Sequence, residues 1–69
     1  MKWKHVGWGK RRIDYLSTGG HTAYVHQDRE TEVFWFYVSG DPLERKAPNR
    51  EYARMWAKQR LLDPKRTIL

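Results

Sequence analysis

Hydrophobic and polar positions along this chain change period once, near residue 49, and the change separates a strand-forming region from a helix. Residues 11–16 alternate, with Ile13 and Tyr15 on one face. Ser17-Thr18-Gly19-Gly20 then reads as a turn, because consecutive glycines supply the positive φ that a tight hairpin needs. Residues 21–27 alternate again, Ala23 and Val25 against Thr22, Tyr24 and His26, and Asp28-Arg29-Glu30-Thr31 makes a polar hairpin loop. Residues 32–38 give the strongest strand signal, with β-branched and aromatic side chains throughout. Val33, Trp35 and Tyr37 fall on one face and Phe34, Phe36 and Val38 on the other. A strand apolar on both faces is central or covered twice, unless one face is an aromatic platform for a ligand.

Beyond the strand end at Ser39-Gly40-Asp41-Pro42 and a charged loop, the period becomes helical. Asn49 is placed to cap a helix over 50–62, and Glu51 sits in its first turn, where the helix dipole favours an acid. Tyr52, Ala53, Trp56, Ala57 and Leu61 form one stripe, with Glu51, Arg54 and Lys58 opposite. Asp63-Pro64 stops the helix, since proline disfavours α geometry in the residue before it. These elements predict one α+β domain over residues 1–69. It comprises a basic arm or edge strand (1–10), a three-stranded antiparallel sheet (11–38), a helix (49–62) packed on one sheet face, and a short tail (63–69). Tyr52 and Trp56 are expected to press onto the third strand.

Composition adds constraints. A 69-residue chain buries only about 60% of the surface its unfolded form exposes. It has no cysteine, hence neither disulfides nor a thiolate metal site, which suits a reducing compartment. Four Trp, four Tyr and two Phe must supply the core; each aromatic buries roughly 150–250 Å². The apolar run Val33–Val38 is too short to span a bilayer and the start of the chain has no apolar signal region. A cytoplasmic protein without a membrane partner is the expectation.

The net charge of +6 is unevenly spread. Residues 1–12 carry five bases and no acid, residues 13–44 one base and six acids, and residues 45–69 eight bases and two acids. A polyanion would therefore be met by the two ends. In the first segment Lys2 and Lys4 surround Trp3, and Lys10, Arg11 and Arg12 follow Trp8; in the last, Arg50, Arg54 and Lys58 lie along the helix. Cations neutralise phosphates, and indoles stack on bases or wedge into a groove. Nucleic acid, DNA above all, is the first partner to expect, bound through the arm and the helix surface.

Other chemistry is thin. His21 and His26 are an odd number of residues apart on one strand and point to opposite faces, so with His5 they make no zinc site. Ser17, Thr18 and Ser39 occupy turns, and Glu30 and Glu32 read as solvated hairpin charges. No catalytic residue, metal or cofactor is expected. The alternative to nucleic acid is a small phage-type interaction protein, such as an inhibitor of a host nuclease or an anti-CRISPR protein. Tyr24, Trp35 and Tyr37 would then contact a host protein complex or a second copy of the chain, since interface hot spots favour Trp, Tyr and Arg.

Over residues 11–62 the layout resembles the plant ethylene-response-factor type DNA-binding domain and the arm-binding domain of phage tyrosine recombinases. The likeness is carried by Thr22-Ala23-Tyr24-Val25 as a second strand, Phe34-Trp35-Phe36 as a third, and Asn49-Arg50-Glu51-Tyr52-Ala53-Arg54 as a helix start. It implies DNA binding by three strands and a helix. Those families read DNA with sheet residues that are commonly arginine, whereas the sheet region here is the acidic part of the chain and offers only Arg11, Arg12 and Arg29. The expected contacts accordingly move to the arm and the helix.

Overall fold

The computed structural model describes residues 2–41 and 43–62. They form an antiparallel sheet in which spatial order follows chain order, backed by one helix. The strands are β1 (Lys4–Val6), β2 (Ile13–Thr18), β3 (His21–Gln27), β4 (Phe34–Val38) and β5 (Arg45–Ala47), and the helix is α1 (Arg50–Leu62). The α+β class and the helix position follow the sequence pattern, but the sheet has five strands where three are expected. The two additional strands are the edges. Each is only three residues long and largely exposed, so neither carries the apolar alternation that betrays a strand. Strand β4 also starts at Phe34, because residues 28–33 close a wider loop: Asp28 N–H donates to the Val33 carbonyl at 2.8 Å, and the Asp28 carboxylate accepts from Glu30 N–H at 2.8 Å.

Register fixes which side chains share a face. Pairs Leu16↔Ala23, Ala23↔Val38 and Val25↔Phe36 put one apolar set beneath α1. With Ala47 from β5 and Ala53, Ala57 and Leu61 from α1 they form the buried core. Alanine at 23, 53 and 57, all without solvent contact, lets the helix backbone lie close to the sheet. Trp56 flanks this core with its ring 6.1 Å from Phe36. Two helix expectations are corrected. Tyr52 is 45% exposed and leans on Trp56 instead of the sheet. Arg54 does not join Lys58 on the solvent side; it turns back toward β2, where Asp14 is buried at the core's edge. The tail at 63–69 lies outside the described residues.

The turn at Gly19–Gly20 closes the β2–β3 hairpin with positive φ at both residues, 59° and 81°, as a two-residue hairpin of this twist requires. Gly7 has a stricter task in the β1–β2 connection, which passes through a 3-10 turn at Gly9–Arg11. Its φ is 79°, and a Cβ there would lie 2.7 Å from the Arg11 carbonyl oxygen. At Gly9 the φ is also positive but nothing lies within 4 Å of a Cβ. Gly7→Ala should thus destabilise by about 1–3 kcal/mol, and Gly9→Ala by less. Urea unfolding of the two variants checks this; equal midpoints would refute the steric argument. Among the described residues no helix is long and apolar enough to cross a membrane.

Candidate nucleic-acid interface

The helix covers one sheet face, and the strand period of two sends every other side chain to the opposite, uncovered face. Two cross-strand rows occupy it. One runs Lys4–Tyr15–Tyr24–Tyr37, and the next runs Val6–Ile13–His26–Trp35–Lys46. The five rings of these rows are half-buried. Tyr24 and Tyr37 stack at 4.8 Å with 23° between planes, and His26 meets Tyr37 edge-on at 6.4 Å. Lys46 Nζ sits 5.6 Å above the Trp35 ring. Glu44 comes over this face from the β4–β5 connection, its Oε2 2.9 Å from His26 Nε2. Burial raises the Tyr37 phenol above its ordinary pKa, and Tyr24 and Glu44 add to the effect. At the Gly9–Arg11 end a groove of about 330 Å³ opens between Arg11, Arg12, Ile13, His26, Tyr37 and Glu44.

The cations divide into two populations. Lys2, Lys4, Arg11, Arg45, Lys46 and Lys58 are exposed. Arg12, Arg50 and Arg54 converge on Asp14. Its Oδ1 accepts from Arg12 Nε at 2.7 Å, and its Oδ2 accepts from Arg50 Nη1 at 3.1 Å and from Arg54 Nε and Nη2 at 3.0 and 2.8 Å. Burial alone would raise the Asp14 pKa, but hydrogen bonds from Arg12, Arg54 and Arg50 outweigh it and hold the carboxyl below its ordinary value. Rings brace the cluster, with the Arg50 guanidinium 5.0 Å from Phe34 and that of Arg54 5.6 Å from Trp3. Three of the eight cations expected to contact phosphate are thus engaged with a carboxylate. Of the helix cations among those eight, Lys58 alone is left exposed. Arg60 pairs with Asp41, whose pKa is lowered chiefly by that bond.

The tryptophans separate as well. Trp3 packs against the core under Arg54, so its ring has a structural task. Trp8, 83% exposed, stands off the 3-10 turn with the His5 ring edge-on at 6.0 Å. The backbone of Lys10 lies in that turn, and its side chain falls outside the described residues. Among the described residues no three His, Asp or Glu side chains gather as a metal-holding group. Sequence reasoning missed Asp14 and Glu44. A signal for Asp14 was present, since it shares strand parity with Leu16 on the buried side, where an acid demands a cation. Glu44 had none, because β5 itself was unseen.

The described residues thus define an open-faced antiparallel sheet, helix-backed on one side and aromatic on the other. Comparison with protein-family models, with curated protein sequences and with solved structures finds no match.

Proposed function

We propose that this protein binds single-stranded nucleic acid on the uncovered sheet face, with bases stacked on its rings and phosphates met by rim cations. The observation that carries this reading is the pair of rows just described, Tyr15, Tyr24 and Tyr37 beside His26 and Trp35, with Lys4 at one sheet edge and Lys46 at the other. Flat aromatic groups on an open sheet accept any base through its π face, and a duplex offers no such face. Arg11, exposed at the groove end, adds a third rim cation. The reading keeps nucleic acid as partner but moves the contacts from arm and helix to the sheet.

Fluorescence anisotropy with a labelled single strand and a matched duplex tests it. Three phosphate contacts on a single strand give a salt slope near −2, so affinity should fall roughly 20-fold between about 50 and 200 mM salt. The single strand should bind more tightly than the duplex at both. Tighter binding of the duplex, or none of either, refutes the proposal. Val6 and Ile13, neighbours on this face and 53% and 38% exposed, favour a second reading in which the face contacts protein. Failure of nucleic-acid binding together with self-association in sedimentation would support that one.

A further inference from the structure

A carboxylate in the middle of a face built for a polyanion requires a reason. Glu44 lies over the open face between His26 and Tyr37, beside the groove that also holds Arg11, Arg12 and Ile13. It repels phosphates, and a DNA strand has no 2′-hydroxyl, so a favourable contact with single-stranded DNA is to a hydrogen-bond donor on a base. Resting on the function proposed above, we infer that Glu44 selects guanine. Guanine alone among the common bases presents two adjacent donors on its Watson–Crick edge, N1–H and the N2 amino group, spaced to meet the two oxygens of a carboxylate. Adenine and cytosine set an acceptor beside their amino donor, and thymine or uracil flanks its single N–H with two carbonyls. In each case that acceptor faces the second carboxylate oxygen.

The surroundings suit this role. His26 Nε2 contacts Oε2, which keeps lone pairs free and fixes the carboxylate against rotation. Trp35 lies next to His26 in the same row, and its ring takes the guanine plane when the exposed Lys46 side chain above it turns to a phosphate. Glu44 and His26 side chains are 46% and 33% exposed, so the contact between them contributes little to folding and its loss leaves the fold standing.

The test is anisotropy with three nine-nucleotide single strands: all thymine, thymine with a central guanine, and the same with inosine, which lacks the N2 amino group. The guanine strand should bind about tenfold more tightly than the thymine strand, with inosine between. Glu44→Gln should bring the ratio close to one, because its amide N–H would confront a guanine donor. Lys46→Gln, removing a rim cation, should weaken all three strands alike. Circular dichroism verifies that both variants fold. Equal affinity for the three strands overturns the inference while leaving the proposed function in place. A guanine preference that survives Glu44→Gln overturns the assignment to this residue. Absence of binding to any strand overturns both.

Discussion

Replacing Asp14 by alanine should unfold most of this protein's stability with one substitution. The carboxylate has no solvent contact and accepts four hydrogen bonds from Arg12, Arg50 and Arg54. Without it three guanidinium groups face one another across the space a carboxylate filled. Removing one partner of a buried ion pair costs about 3–5 kcal/mol. A chain of this length is stable by only about 3–10 kcal/mol in total, so the melting temperature should fall by roughly 15 °C or more. Asn should serve little better, since its amide group would donate toward the arginines. A fourfold variant, Asp14→Leu with Arg12→Met, Arg50→Met and Arg54→Met, should recover much of the loss, because it removes the stranded charges as well. Recovery would identify charge, not shape, as the cause; a wild-type-like melt for Asp14→Ala would contradict the network's role.

Acid supplies an independent readout of the same group. The folded pKa of Asp14 is lowered, so its contribution is complete above the unfolded carboxylate value near pH 4 and is lost as pH falls through the folded value. Asp41, lowered by Arg60 and the Leu43 N–H, acts in the same window. Wild-type stability should fall steeply below about pH 4, and Asp14→Ala should show a shallower acid limb.

The second large effect should appear in binding. Trp35→Ala combined with Tyr24→Ala removes two rings from adjacent rows of the open face. Base–aromatic stacking contributes about 1–3 kcal/mol per base, so single-strand affinity should drop at least roughly 30-fold. The salt slope should stay as it was, since the cations remain. The Tyr24–Tyr37 pair also supports the sheet, at about 0.5–1.5 kcal/mol, so binding should be measured well below the melting temperature. A double variant that binds like wild type would remove the basis for the platform; one that loses salt dependence together with affinity would point to misfolding.

The interior of this fold was legible and its margins were not. Ala23, Val25, Phe36 and Val38 announced themselves through period-two alternation, and Asn49 through Leu62 through capping and a helical stripe, with Tyr52 N–H donating to the Asn49 carboxamide at 2.9 Å. Strand β5 escaped, and the pattern leaves residues 1–10 open between an arm and an edge strand, because edge residues such as Lys4, Arg45 and Lys46 satisfy no burial pattern; only backbone pairing makes them strands. The site was half legible for a related reason. Alternation put Trp35 and Tyr37 on one face and raised the prospect of a platform, but whether α1 covered that face or the other is a tertiary fact. Charge counting likewise found the arginines without revealing that a distant aspartate, 36 and 40 residues from two of them, would claim Arg50 and Arg54.

Spatial order identical to chain order has a bearing on how the molecule comes into being. Every strand pairs with its immediate predecessor, so each pairing closes a short loop and assembly can advance hairpin by hairpin at little entropic cost. The helix that shields Leu16, Val25, Phe36 and Val38 comes after all five strands. During synthesis those side chains have no cover until α1 has left the ribosome, so the growing chain carries its greatest risk of aggregation just before Arg50–Leu62 emerges.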